Sequence, residues 1–165
     1  MSVLNSSVDI QGYSSGWLLE SGNDSMKVDL PFNIKRDKNF SDRKEFTLTK
    51  KFKNVDFDKY QSPGIVFGRI GDTADIFVNS CKVIQENSDA PDGWLWGGLR
   101  YSFLDKGCII DQSEFTIKYQ IRHWGFAHKG VFDGPFGFAN YKKVKKLIQV
   151  VEFLRFDLFL FLEFC

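Results

Sequence analysis

Indole rings and hydrogen-bonding side chains are concentrated in two Gly- and Pro-containing stretches of this sequence that are typical of loops. They are Trp94, Trp96 and Arg100 in the first stretch, and Trp124 and Asp133 in the second. An exposed indole offers a flat apolar surface to the C–H face of a sugar, while guanidinium and carboxylate groups hydrogen-bond to hydroxyls. We therefore predict that these five residues bind a carbohydrate or another small polar ligand. The alternative is that each tryptophan plugs the open end of a hydrophobic core.

No pattern in the sequence predicts catalysis. It contains no nucleophile elbow, HExxH motif or phosphate-binding loop, and no dinucleotide fingerprint. His123 and His128 lie five positions apart, which is not a usual spacing for zinc ligands. Asp72 and Asp75 could hold a cation with loop carbonyls, although turn formation explains them more simply. We expect a domain that is not an enzyme and that needs no metal or cofactor.

The charge balance and the cysteines argue against nucleic-acid-binding proteins and against disulfide-rich or metal-binding domains. The 22 basic and 21 acidic residues leave a net charge of +1, which indicates no nucleic-acid partner. The three cysteines, Cys81, Cys108 and Cys165, are an odd number and show no CxxC spacing. We expect Cys81 and Cys108 to be small buried hydrophobes rather than parts of a disulfide framework or a metal site.

The elements that must position these residues are mostly strands. A chain of 165 residues with 18 Phe and 16% aromatic residues favours one domain built from half-buried pleated surfaces. Apolar residues recur at every second position in several segments. The predicted strands are 26–34, 46–52, 99–104 and 114–124, together with 65–70 and 74–83, which we expect to pair as a hairpin. This spacing predicts an all-β antiparallel sandwich.

The two ends of the chain differ from this pattern. Residues 1–16 are rich in Ser, Asn and Gly and predict an irregular arm. Residues 147–165 are mostly apolar and follow four lysines within 142–146, like the edge of a membrane segment. The charged residues of this tail, among them Arg155 and Asp157, bring the insertion free energy near or above zero. The tail is therefore a helix on a partner or a bilayer, a truncated membrane segment, or a core helix.

The order of several segments resembles a known group of domains. The segments are GIVFGRIGDTADIFVNSCKV at 64–83, RYSFL at 100–104, the strand at 114–124, and KGVFDGPFG at 129–137. Together they resemble the galactose-binding-domain-like jelly rolls of family 2 glycoside hydrolases. They are also similar to the 7TM-DISM-type extracytoplasmic sensor domains of bacterial receptors. Where that pattern has an Asn-Gly turn, this chain has Asn79-Ser80.

The resemblance covers about residues 44–140 and implies a jelly-roll β-sandwich. Together with the strand pattern, it predicts a sandwich domain over residues 17–140, followed by a basic linker and an apolar helical tail over 141–165. It implies a noncatalytic carbohydrate-binding or sensing module of a membrane-associated receptor, of which this chain would be a fragment. The location would then be extracytoplasmic, although residues 1–15 show no signal peptide. The alternative is a structural accessory sandwich domain of a glycoside hydrolase or another multidomain protein that binds no small ligand.

Overall fold

A computed structural model describes residues 8–9, 13–34, 40, 42–71, 73–84, 99–109, 113–123 and 130–150. Its strands form two antiparallel sheets, of four and six strands, that pack face to face. The strands are β1 Val8–Asp9, β2 Trp17–Ser21, β3 Asp24–Val28, β4 Glu45–Lys53, β5 Pro63–Ile70, β6 Thr73–Val78, β7 Cys81–Ile84, β8 Leu99–Phe103, β9 Glu114–Arg122 and β10 Val131–Asn140. The smaller sheet has the order β1-β10-β5-β8 and the larger β3-β2-β4-β9-β6-β7. The predicted all-β sandwich is confirmed.

The long strands β4 and β9 form the centre of the six-stranded sheet. In both, buried and more exposed residues alternate strictly along most of the strand, as the period-two pattern predicted. Leu48 pairs with Tyr119 and Phe52 with Phe115, so the apolar side of each strand faces the smaller sheet. The rings of Phe52 and Phe115 stack with their centroids 5.3 Å apart. Cross-strand aromatic pairs of this kind stabilise the core between the sheets.

The predicted hairpin of residues 65–70 and 74–83 is wrong. β5 pairs with β8 and β10 in the smaller sheet, whereas β6 pairs with β7 and β9 in the larger one. The hairpin is formed instead by β6 and β7, across Asn79 and Ser80. Asn79 has a positive φ of 52°, which asparagine tolerates better than most residues. Its side-chain amide donates to the Cys108 carbonyl at 2.7 Å, and its oxygen accepts from the Thr116 amide at 2.9 Å.

The expectation of no disulfide is also wrong. Cys81 and Cys108 form a disulfide with their Cα atoms 5.6 Å apart, and both residues are half-buried rather than buried. Cys81 begins the edge strand of the larger sheet, and Cys108 ends a 3₁₀ helix, Lys106–Cys108, that follows the edge strand of the smaller one. The bond therefore ties the two sheets together along one edge. No local cysteine spacing indicates it, because the two residues meet only when the sheets pack.

The N-terminal segment is more ordered than the predicted arm. β1 pairs with β10, and Tyr13 is fully buried between the sheets. The Tyr13 hydroxyl lies 2.8 Å from that of Tyr119, and the Trp17 indole donates to the Tyr13 carbonyl at 2.7 Å. β1 and the segment around Tyr13 are too short to show a hydrophobic periodicity. Their ordered structure is therefore recognised only from their tertiary contacts.

Residues 141–150 form a helix, α1, where a basic linker was predicted. Val144 and Ile148 are four residues apart and therefore share one helix face. Both are buried, in a cluster with Val66 and Leu99 of the four-stranded sheet. The lysines lie on the exposed side of α1, so the helix covers the outer face of the smaller sheet. Within the described residues, no helix combines the length and the apolar character that crossing a bilayer requires; residues 151–165 lie outside them.

Candidate functional site

The outer face of the six-stranded sheet carries a row of polar side chains. Glu20 lies opposite Thr47, Thr47 opposite Gln120, and Gln120 opposite Asp75, so four neighbouring strands contribute one residue each. These positions alternate with the buried residues of the core, which places their side chains on the outer face. A groove of about 320 Å³ lies at the end of this row. We call it the sheet-face groove; its polar lining residues are Glu20, Ser21, Glu45, Thr47, Gln120 and Arg122.

The backbone at the end of β2 shapes one side of the sheet-face groove. Ser21 is nearly buried, and its hydroxyl donates to the Glu45 carbonyl at 2.6 Å, which joins β2 to the start of β4. Gly22 follows with a positive φ of 62°, a conformation that glycine adopts readily, and turns the chain into β3. The groove therefore lies on strands and a tight turn, which hold its side chains in place.

Asp75 lies beside the groove and is close to two cationic side chains. Although it lies on the outer face, it is only 7% exposed. Its Oδ2 atom lies 3.3 Å from Lys82 Nζ and 3.9 Å from Arg122 Nη2. Because Arg122 also lines the groove, its guanidinium is shared between the groove and Asp75. The alternative of a cation site at Asp72 and Asp75 lacks support, since Asp75 has these two cationic partners and Asp72 lies outside the described residues.

The lining residues can make many hydrogen bonds. Carboxylates accept them, guanidinium groups donate them, and amide and hydroxyl groups do both. Of the aromatic side chains, Phe46 lines the groove, but it is 3% exposed and belongs to the core. The groove can thus recognise a polar ligand by hydrogen bonds rather than by stacking. In the described part of the chain, no group of three or more His, Cys, Asp or Glu side chains could hold a metal ion.

Three of the five predicted ligand-binding residues, Trp94, Trp96 and Trp124, lie outside the described residues. Their role in binding stays a prediction.

The other two, Arg100 and Asp133, lie on β8 and β10, on either side of β5 in the smaller sheet. Arg100 is 6% exposed, and its Nη1 donates to the Ile70 carbonyl at 2.9 Å. Asp133 accepts a hydrogen bond from the Gly134 amide at 2.9 Å, and its Oδ2 lies 3.7 Å from Arg69 Nε. These contacts give both residues a structural role, and neither lines the sheet-face groove. Their predicted role in ligand binding stays untested.

Sequence reasoning missed the groove residues because, apart from the nearly buried Ser21, each polar one is an ordinary residue on the solvent side of a strand. Thr47 and Gln120 lie in the predicted strands 46–52 and 114–124, at the polar positions between the apolar ones. Glu20 lies in a strand that the sequence did not delimit. The pairing of β2, β4, β9 and β6 is what brings these residues into one row, and no local signal indicates that pairing.

Solved structures contain the same fold as part of larger enzymes. One is a beta-D-glucuronidase from Dictyoglomus thermophilum, at 18% identity and a TM-score of 0.51, aligned over 66% of this chain and 18% of the enzyme chain. Another is a GH2 beta-galacturonidase from Eisenbergiella tayi bound to galacturonate, at 10% identity and a TM-score of 0.52, aligned over 71% of this chain and 22% of the enzyme chain. No protein-family model and no curated protein matches the chain.

This similarity confirms the predicted resemblance to domains of family 2 glycoside hydrolases at the level of the fold. The chain spans about a fifth of each enzyme. The similarity to membrane-receptor sensor domains stays a prediction.

Proposed function

We propose that this chain is a noncatalytic domain that binds a saccharide, or a similar polyhydroxylated ligand, in the sheet-face groove. The observation that carries the proposal is the groove itself, which has about 320 Å³ of space and a polar lining on the outer face of the six-stranded sheet. Pockets that bind small molecules commonly have volumes of about 300 Å³ or more. The fold shared with segments of two glycoside hydrolases supports the same ligand class.

The chemistry of the lining supports hydroxyl recognition. A sugar hydroxyl donates one hydrogen bond and accepts others, so it needs acceptors and donors side by side. Glu20 and Glu45 are exposed acceptors, whereas Gln120 and Arg122 bring donors from the neighbouring strand. Hydrogen bonds to charged groups of this kind are the stronger ones.

The absence of catalysis is part of the proposal. The two enzymes match this chain over only 18% and 22% of their length, which supports an accessory domain rather than a complete hydrolase. This coverage also favours the second candidate, a structural accessory domain that binds no small ligand. The sensing role in a bacterial membrane receptor remains a prediction from the resemblance alone.

Isothermal titration calorimetry of the full chain against a panel of mono- and oligosaccharides tests the proposal. We expect at least one saccharide to bind, and Gln120→Ala to weaken that binding about tenfold, as loss of a well-formed hydrogen bond does. Thr47→Ala is expected to weaken binding as well. Its matched control is Thr116→Ala on the same sheet face, because Thr116 does not line the groove.

Two outcomes would overturn the proposal. If no saccharide binds, the structural accessory role takes its place. If a saccharide binds, the groove variants bind it normally and Trp96→Ala abolishes binding, the site lies in the loops that the sequence predicted.

A further inference from the structure

The charged residues that line the sheet-face groove are two carboxylates, Glu20 and Glu45, and one guanidinium, that of Arg122, which lies opposite Glu45 in the sheet. Glu20 and Glu45 are both exposed and line the groove from neighbouring strands. Across the described ranges, neither residue takes part in an ion pair. Both carboxylates are therefore available to a ligand that enters the groove.

The cations close to the groove already have acidic partners. Arg122 shares its charge with Asp75, which also pairs with Lys82. Arg43, near Gly22, is 2.7 Å from the Asp24 carboxylate. Among the residues that line the groove itself, two carboxylates face one guanidinium, and that guanidinium also lies 3.9 Å from Asp75. The lining therefore carries one more negative than positive charge, which favours a cationic ligand over an anionic one.

We propose that the groove selects cationic amino sugars over neutral sugars and rejects uronates. This inference rests on the proposed function and names the ligand class of the same site. The ammonium group of an unacetylated hexosamine would form charge-assisted hydrogen bonds with Glu20 and Glu45, while Gln120 contacts a hydroxyl. A uronate would bring a carboxylate toward two like charges, and such contacts penalise the wrong ligand.

A matched series of oligosaccharides tests the selection. The probes are a glucosamine tetrasaccharide, its fully N-acetylated form and an oligogalacturonate of equal length, each titrated against the full chain. At about pH 5.5, glutamate carboxylates and the sugar ammonium are both charged. We expect the glucosamine form to bind at least about tenfold more tightly than the N-acetylated form, and the oligogalacturonate not to bind. Raising the salt from about 0.02 M to about 0.2 M should shrink this preference, because screening weakens exposed charges.

Two single substitutions assign the preference to the groove. Glu20→Gln and Glu45→Gln are each expected to weaken glucosamine binding about threefold to tenfold more than they weaken binding of the N-acetylated form, because only the ammonium group depends on the lost charge. Glu114→Gln is the matched control, because Glu114 lies at the far end of the same sheet, beside Lys51 and Lys53. Thermal unfolding of each variant checks that the fold is intact.

The outcomes separate this inference from the proposed function. If oligogalacturonate or the N-acetylated form binds as tightly as the glucosamine form, the selection is wrong while saccharide binding stands. If Glu114→Gln weakens glucosamine binding as much as Glu20→Gln does, the preference arises from overall charge and the inference fails. If none of the three probes and no sugar of the wider panel binds, the proposed function fails with it.

Discussion

The outer faces of the two sheets differ in what lies on them. The face of the four-stranded sheet is covered by α1, with Val144 and Ile148 buried against Val66 and Leu99. The corresponding face of the six-stranded sheet carries Glu20, Thr47, Gln120 and their neighbours, and it contains the sheet-face groove. The comparison shows that α1 occupies a surface of the smaller sheet, whereas the groove in which we propose ligand binding lies on the larger one.

The burial patterns of the strands reflect this difference between the two sheets. Every residue of β5 is buried except Arg69, because β5 has the core on one side and α1 on the other. β9 alternates between buried and partly exposed residues because only one of its sides is covered. Gly64 of β5 lies directly below the start of the helix. A Cβ atom there would approach the Tyr141 Cβ to 2.8 Å, so the close contact of sheet and helix requires glycine.

The disulfide offers the largest test of how the two sheets are held together. Replacing both Cys81 and Cys108 by serine opens a loop closed over 27 residues. The chain-entropy estimate for a loop of that length is a loss of about 3.5 kcal/mol in the free energy of unfolding. Urea unfolding of the two proteins measures it, and the same shift is expected when the original chain is reduced. Cys165→Ser is the control, and a reductant that leaves the midpoint unchanged would count against the bond.

A matched pair of substitutions compares the two faces directly. Ile148→Ala on the covered face removes a side chain that is 5% exposed, whereas Leu18→Ala on the open face truncates one that is 38% exposed. We expect Ile148→Ala to lower the free energy of unfolding by about 2–3 kcal/mol through lost burial and a cavity. Leu18→Ala should cost about 0.5 kcal/mol or less. Equal losses in chemical denaturation would mean that α1 does not cover the smaller sheet in solution.

The tyrosine pair between the sheets gives a smaller, pH-dependent test. Burial raises the pKa of Tyr13 and of Tyr119 well above the usual tyrosine value, and the coupling to Tyr119 raises that of Tyr13 further. The folded protein thus keeps both protons to higher pH than the unfolded chain does. Their contribution to stability is complete below about pH 10 and is lost as the pH rises above it, because the unfolded chain then releases protons that the folded protein retains.

Tyr119→Phe isolates this effect. The variant loses the hydrogen bond of 2.8 Å to Tyr13 and should be about 1–2 kcal/mol less stable at neutral pH. Its stability should also fall less steeply in alkali, since one of the two shifted groups is gone. Denaturation midpoints between about pH 8 and about pH 11 measure both changes. A variant with the same alkaline slope as the original chain would contradict the assignment.

The sequence predicted the elements whose signal is local. β4 and β9 were found within a few residues of their ends because one side of each strand is apolar along most of its length. The two-sheet sandwich followed from the number and spacing of such strands. The aromatic content predicted half-buried pleated surfaces, and the rings of Trp17, Phe52 and Tyr119 do fill the space between the sheets.

Local patterns did not indicate contacts between distant segments. The sequence could not tell that β5 and β6 join different sheets, since both are apolar runs beside a turn. It treated Cys81 and Cys108 as separate buried residues and Tyr13 as part of an arm. Three of the five residues of the predicted tryptophan site lie outside the described residues. No local signal predicted the groove, because its lining residues come from three different strands.

The amino-acid order by itself determined which residues turn inward, because hydrophobic burial acts on each strand through its own alternation. Only the tertiary structure decided which strands became neighbours, which cysteines met and which outer face the helix covered. Those outcomes depend on backbone pairing and on packing between distant segments, and neither is encoded in a single stretch of chain. The groove depends on such pairing between distant strands, and so does the meeting of Glu20, Glu45 and Arg122 in its lining.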